Sequence, residues 1–204
     1  MDEIRERLRR LYAAVGETTE RDLSRVPGLV SETEDTIFFV QDFSGGLTPE
    51  RMSNLAHSAI SLIAHLPDHL CRLAKKLGRN PAEIDAVITS CLPVAILIDL
   101  ANREKHGGAP RDGGCSGRAP QLLNITRHLR LSGGPVPGGG IQVQFTSAGP
   151  QVRGSGSASV VLTGDVIASD GSRLGDLHSL LGEALRAWEN LVHRWLPPSG
   201  QAAS

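Results

Sequence analysis

The stretch VITSCLPVAILIDLANREKHGG, residues 87 to 108, decides the fold, because the most apolar run of the chain passes here into a dense polar cluster. The apolar segment, residues 87 to 101, is interrupted by Ser90, Pro93 and Asp99. It is also shorter than the roughly 20 apolar residues that cross a bilayer. The pattern therefore predicts a buried helix of a packed domain, and we expect no membrane partner.

Capping signals on both sides of this stretch predict two long antiparallel helices. A Thr-Pro pair starts the first, residues 48 to 77, which Pro67 should kink. An Asn-Pro pair followed by a glutamate starts the second, residues 80 to 106, which ends before Gly107. Apolar residues at helical spacing over residues 2 to 15 predict a shorter N-terminal helix.

Beyond residue 120 the apolar residues alternate with polar ones, which is typical of strands. Near the C-terminus they return to helical spacing. We therefore predict an α+β fold in which a helical bundle is joined to a small antiparallel sheet and a C-terminal helix. The predicted single domain, residues 1 to 196, divides into a helical region over residues 1–106, a Gly-rich loop 107–120, a sheet 122–168 and a helix 176–196, followed by a disordered tail 197–204.

Composition limits the partners of this 204-residue chain. Its formal net charge of -1 argues against bulk attraction to nucleic acid, so any anion site must be local. Aromatic residues make up 3%, which leaves few rings to stack on bases. Three widely spaced cysteines and a charged N-terminus without an apolar core favour the reducing cytoplasm. We expect neither a cofactor nor a metal.

Four polar side chains continue the core-facing stripe of the second long helix: Asp99, Asn102, Arg103 and His106. At about 100 degrees per residue they share an arc of about 100 degrees. They are therefore candidate catalytic residues, with His106 as a general acid or base in a cleft beside Asn102 and with Asp99 orienting it. In the alternative interpretation the basic residues complement the helix dipole while Asp99 caps a neighbouring element. A metal site is a third interpretation.

The Gly-rich loop that follows is a candidate phosphate-binding segment. Its glycines, Gly113, Gly114 and Gly117, allow close backbone approach, and Arg111 and Arg118 supply two guanidinium groups. A flexible connector with scattered arginines is the alternative.

Two histidines, His65 and His69, are four residues apart, a spacing that can bind one metal ion from one helix face. Without a third ligand we interpret both as solvated or boundary residues. Whether they converge with His106 is left open by the sequence.

The runs DHL (68 to 70), DLANREKHG (99 to 107) and PRDGGCSGRAPQL (110 to 122) resemble a group of uncharacterised bacterial proteins with a DLxN-x-x-KH helix ending. The helical region is similar to the HEPN class, and the resemblance covers about residues 45 to 130. Many HEPN proteins are metal-independent ribonucleases or their inactive relatives, acting through an Arg and a His on one helix.

This resemblance implies a HEPN-like accessory protein that binds or processes RNA or nucleotide phosphate, with metal-independent ribonuclease chemistry if it is an enzyme. The alternative is a non-catalytic interaction module of a bacterial defence or toxin system, acting as a homodimer through its helices. Catalytic polar groups in a cleft would favour the first function, and an exposed apolar helix face with those groups fully paired would favour the second.

Overall fold

The chain folds as a mixed α+β structure with small antiparallel sheets. A computed structural model describes residues 2–32, 37–109, 111–133 and 140–196. The predicted tail, residues 197 to 204, lies outside them. The helices are α1 (Asp2–Glu17), α2 (Pro49–Ala64), α3 (Leu66–Leu77), α4 (Ala82–Ser90), α5 (Leu92–His106) and α6 (Leu177–Trp195). The strands are β1 (Thr19–Glu20), β2 (Gly28–Glu32), β3 (Ile37–Gln41), β4 (Gln121–Gly133), β5 (Ile141–Thr146), β6 (Gly149–Gly154), β7 (Gly156–Ile167) and β8 (Arg173–Asp176).

Each of the two predicted long helices is divided in two. Pro67 occupies the first turn of α3, and the break falls at His65. Cys91 has an extended backbone between α4 and α5, and Pro93 lies in the first turn of α5. Proline lacks the N–H that would continue the hydrogen-bond ladder and clashes with the preceding turn. The prediction of one continuous helix over residues 80 to 106 is therefore wrong.

The break between α4 and α5 also bears on the search for membrane spans. Among the described residues, no single helix has both the length and the apolar character to cross a membrane. Taken together, α4 and α5 meet that test only as a pair bent by 95°.

The apolar core lies where α2, α5 and α6 meet one face of the sheet. Helix α5 contacts both α2 and α6, and α6 also contacts β7. Trp188 of α6 is fully buried in this core together with Ile60 of α2 and Leu97 of α5. The sequence prediction of a C-terminal helix with one apolar face is confirmed, and Asp176 caps its N-terminus.

In the described part of the chain the strands form three separate sheets instead of the single predicted one. The largest has the order β1-β7-β4, and β8 also pairs with β7. Two independent hairpins, β2–β3 and β5–β6, make the others. The pairing of β4 with β7 is interrupted by a bulge between Leu123 and Thr126, where Asn124 adopts a positive φ of 53°. Bulges twist a strand and redirect its side chains.

Candidate functional site

The second half of α5, residues 99 to 106, begins with a fully buried carboxylate, that of Asp99. Its two oxygens accept the backbone N–H groups of Cys115 at 2.7 Å and Ser116 at 2.8 Å, and the Ser116 hydroxyl also donates to it. Burying a charge is costly unless such bonds replace its water. Asp99 therefore fastens the Gly-rich loop to the helix, which matches the alternative interpretation that it caps a neighbouring element.

The loop glycines make this fastening sterically feasible. Gly114 has a φ of 72°, and a Cβ at this position would collide with the Asp99 carboxylate. Gly113 and Gly117 also have positive φ, of 80° and 66°. Successive N–H groups in such turns form an anion-binding concavity. In this protein the anion in the concavity is the chain's own Asp99.

The other predicted catalytic residues do not gather around Asp99. Asn102 and His106 are exposed on the last turns of α5. Arg103 is half-buried and donates to the Pro120 carbonyl at 3.5 Å, and among the described residues it makes no ion pair with Asp99. The predicted cleft beneath the loop is therefore corrected, because α5 ends in solvent at Gly107 with its basic residues near the negative end of the helix dipole.

The loop was also predicted to bind phosphate, but its N–H groups are already occupied. The N–H groups of Cys115 and Ser116, which a phosphate would need, already bind Asp99. Arg118 is exposed, and the side chain of Arg111 lies outside the region of the chain that is described. Burial and the neighbouring Asp99 raise the pKa of the Cys115 thiol, so this exposed cysteine is not an activated nucleophile.

The three histidines considered as metal ligands are distributed over separate places. His65 donates from Nδ1 to the Ser61 carbonyl at 2.7 Å, whereas His69 faces α1 and His106 ends α5. Within the described residues no group of three or more His, Cys, Asp or Glu side chains is arranged to hold a metal ion.

The larger open cavities lie instead along the sheet and α6. The first, about 810 Å³, is called here the arginine groove; its walls come from β1 and the residue after it, β4, β7 and α6. Its charged lining side chains are Arg21, Arg130, Arg186 and Glu183, with His178 beside them. Five hydroxyl groups complete it, from Thr19, Ser132, Ser157, Ser159 and Ser179.

A second cavity of about 680 Å³ adjoins the arginine groove and shares Arg130 and Ser179 with it. We call it the acidic groove, because Asp165 and Asp176 line it. Asn124, held at the bulge with positive φ, donates from Nδ2 to Asp165 at 3.0 Å. This bond, with help from Arg173 at 3.2 Å, lowers the pKa of the Asp165 carboxyl.

The boundary between the two grooves is formed by the first turn of α6. Asp176 accepts the Ser179 backbone N–H at 2.9 Å. Burial opposes ionisation of Asp176, but this bond and the Ser179 side chain outweigh it and lower the pKa. Burial, followed by the charge of Arg130, lowers the pKa of His178, whose Nδ1 atom is buried with no hydrogen-bond partner among the described residues. His178 is therefore neutral at pH 7.

Some residues of this site were visible in the sequence. Asn124, Thr126, His128 and Arg130 form the polar half of the alternation that predicted β4, and all four line the acidic groove. Arg21 and Arg186 gave no such signal, because they reach the groove only through the pairing of β1 with β7 and the packing of α6.

Comparison with known proteins adds no assignment to this geometry. No family model, no curated protein and no solved structure matches the chain. The residues of the two grooves therefore carry the functional proposal.

Proposed function

We propose that this chain binds a phosphate-bearing ligand, RNA or a nucleotide, in the arginine groove. The observation that carries the proposal is the approach of Arg21, Arg130 and Arg186 to one open cavity from three separate parts of the chain. Arginine presents a planar fork of N–H donors that matches phosphate oxygens and keeps its charge at every physiological pH. The cavity also falls within the size range typical of ligand sites, about 300 to 1,000 Å³.

The three guanidinium groups have no carboxylate within ion-pair distance in the described part of the chain. Among the described residues none of them takes part in an ion pair, in contrast to Arg25 and Arg173. Glu183 is the single carboxylate among the described residues that line the groove. A phosphate that enters therefore meets a net positive charge and hydroxyl donors, which is the chemistry of a phosphate-contacting surface.

The composition of the groove also determines how an RNA would be recognised. No Phe, Tyr or Trp side chain is among the described residues that line it, so the His178 imidazole is the one ring in that lining on which a base could stack. Contacts to the backbone phosphates then dominate, and these carry little sequence information but depend strongly on salt. We expect low base specificity.

The neighbouring acidic groove directs the ligand to one side of Arg130. Asp165 and Asp176 are ionised at neutral pH, because both have lowered pKa values, and they repel a phosphate. The ligand phosphate therefore contacts Arg130 from the side of Arg21 and Arg186. We assign the chain an accessory, binding role of the kind implied by the HEPN resemblance, with α2, α5 and α6 as a helical bundle that supports the groove.

The proposal is tested by fluorescence anisotropy with a labelled single-stranded RNA in one series and a labelled nucleotide in another. The double variant Arg130→Ala/Arg186→Ala should bind at least about tenfold more weakly, since two charge-assisted contacts are lost. The matched control Arg153→Ala/Arg194→Ala also removes one strand arginine and one α6 arginine, both exposed and neither in the groove lining. Its affinity should stay within about twofold of the unmodified chain.

An equal loss of affinity in both double variants would show that binding depends on the overall positive charge and not on the groove, and would contradict the proposal. Absence of binding to either ligand at low salt would also contradict it. Binding of the nucleotide alone would restrict the ligand class to mononucleotides.

A second candidate function is the interaction module, with a second copy of this chain as the partner, but through the β2–β3 hairpin and not through the helices as the sequence suggested. One observation favours it: Leu29 and Val40 pair across this hairpin and remain 68% and 57% exposed. Contiguous apolar surface that is exposed is typical of contact surfaces. Light scattering should then detect a dimer that Leu29→Lys/Val40→Lys converts to a monomer. A monomer at high concentration for the unmodified chain would eliminate this candidate.

A further inference from the structure

A cleft lined by residues of the helical region shares no described lining residue with either groove. It lies where α1 packs against α2 and α3, and it consists of a chamber of about 260 Å³ and an adjoining one of about 30 Å³. Arg7 and His69 line both chambers, which makes them the centre of the cleft. None of the described residues that line it belongs to the arginine groove.

Two nitrogen atoms of the cleft are buried without a hydrogen-bond partner among the described residues: Nε of Arg7 and Nδ1 of His69. The nearest carboxylate of Arg7 is that of Glu3, at 3.6 Å, which is an ion pair but longer than a hydrogen bond. Buried polar atoms are nearly always paired, and an exception calls for an explanation. The guanidinium and imidazole groups that carry these atoms both line the cleft, so its centre holds polar side chains that the described part of the chain does not fully pair.

The charge of the cleft favours an anionic ligand. Arg7, Arg10, Arg72 and Lys76 line it, against the carboxylate of Glu3. Burial, with the charges of Arg7 and Arg72, lowers the pKa of His69, so its imidazole is neutral at pH 7 and retains one N–H donor. A ligand anion would meet several cationic groups and a neutral donor.

Most of the accessible surface of the larger chamber is apolar, which limits the kind of anion. Leu62, which is 37% exposed, lines this chamber beside the buried Leu66, and the buried Ile4 and Leu73 line the smaller chamber. A bare phosphate would leave the apolar surface around Leu62 in contact with water, whereas an apolar chain would cover it at about 25 cal/mol for each Å² removed from water. The larger chamber is slightly below the usual size of a ligand pocket, about 300 Å³, so the ligand is small.

We propose that this cleft binds a small apolar monocarboxylate, with its carboxylate at Arg7 and His69 and its apolar body against Leu62 and Leu66. The site is independent of the proposed phosphate-binding function, because the two share no residue. A ligand here would hold α1 on the α2–α3 pair and would stabilise the packing of the N-terminal helix.

The probe for this proposal is octanoate, followed by isothermal titration and by amide chemical shifts in NMR spectra of the full chain. Acetate lacks the apolar body and 1-octanol lacks the charge, and we expect each to bind at least tenfold more weakly than octanoate. Arg7→Gln should reduce octanoate affinity by tenfold or more. Arg9→Gln is the matched control on the same helix, because Arg9 is exposed and pairs with Glu6.

A second variant keeps the test valid if Arg7→Gln does not fold. Leu62→Glu places a carboxylate at a partly exposed position of the chamber and should repel the ligand, again with at least a tenfold loss. Saturable octanoate binding that is lost in these variants and retained in Arg9→Gln and in Arg130→Ala/Arg186→Ala supports the site. Absence of saturable binding, equal binding of 1-octanol, or an equal loss in Arg9→Gln overturns it.

Discussion

The end of α5 and the arginine groove contain similar side chains, but the fold uses them in different ways. At the end of α5 the polar residues are adjacent in the sequence, and the buried one, Asp99, is fully occupied by the loop. In the groove Arg21, Arg130 and Arg186 are more than fifty residues apart and meet without a carboxylate partner among the described residues. The polar residues that are adjacent in the sequence thus fasten the loop to the helix. The arginines that come together only in the folded chain form the candidate site.

The difference has an energetic basis. A buried carboxylate is tolerated only when hydrogen bonds replace its solvation, so its presence indicates that the protein has supplied them. Exposed arginines that face a cavity keep their water and incur no such cost. They remain available to a ligand. Variants of the two regions test this difference, because changes at Asp99 should affect stability and changes at the arginines should affect binding.

The largest expected effect is on stability at Asp99. Asp99→Ala leaves the N–H groups of Cys115 and Ser116 without their acceptor and empties a fully buried position, and we expect it to lower the free energy of unfolding by about 3 kcal/mol. Guanidinium unfolding followed by circular dichroism measures the loss. Glu104→Ala, which removes an exposed carboxylate from the same helix, is the control and should cost no more than about 0.5 kcal/mol.

Gly114→Ala extends this prediction to the loop side of the same contact. The added methyl group meets the Asp99 carboxylate, and the backbone φ of 72° disfavours any L side chain. We expect a loss of the same order as for Asp99→Ala. If either variant unfolded within about 1 kcal/mol of the unmodified chain, Asp99 would not be the fastening of the loop.

The next effect concerns salt. For single-stranded RNA, the logarithm of the binding constant should fall with the logarithm of salt concentration, and the slope should decrease by about 0.7 for each phosphate-contacting arginine removed. Arg130→Ala/Arg186→Ala should therefore flatten the slope, whereas Arg118→Ala in the loop should leave it unchanged. Anisotropy titrations at several salt concentrations measure it. A flatter slope in Arg118→Ala would mean that the loop contacts the RNA phosphates. The two regions would then not differ in ligand binding.

The sequence predicted the fold where local rules are sufficient. The helical spacing predicted α6 to within about a residue at each end, and the alternation around His128 predicted β4. The break at Cys91 was missed, because proline in the first turn of a helix is compatible with either a new helix or a kink. The division into three sheets depends on non-local pairing, which no local pattern determines.

The candidate site was predictable to a smaller extent for a related reason. Helical periodicity correctly placed Asp99 towards the core, but it could not show that the helix extends beyond the core at Asn102 and His106. The sequence also suggested an anion held by the loop glycines without indicating that Asp99 is that anion. Arg21 and Arg186 join the site only through tertiary contacts.

A smaller effect is expected on the titration of His178. Arg130→Ala removes a positive charge that, after burial, holds the His178 pKa below 6.5, so the pKa should rise in the variant. NMR titration of the imidazole measures the change, and Arg194→Ala is the control. A pKa of His178 that did not respond to Arg130→Ala would separate this histidine from the arginine groove.

The sign of the pH dependence of stability follows from the same shift. Because the folded-state pKa of His178 lies below the unfolded value, the unfolded chain binds this proton more readily. The neutral His178 therefore makes its full contribution to the free energy of unfolding above a pH of about 6.5. This contribution is lost as the pH falls towards the folded-state pKa. As the pH is lowered across this range, the free energy of unfolding should decrease less in Arg130→Ala than in the unmodified chain.

The smallest expected effect is that of His106→Ala. Because His106 is exposed on the last turn of α5, its removal should change neither RNA affinity nor, beyond about 0.5 kcal/mol, the free energy of unfolding. The same variant tests the ribonuclease chemistry implied by the HEPN resemblance, when cleavage of a labelled RNA is followed in the presence of EDTA. If the unmodified chain cleaves and His106→Ala binds equally well but does not cleave, the end of α5 is a catalytic site. In that case the end of α5 would cleave the RNA and the arginine groove would bind it.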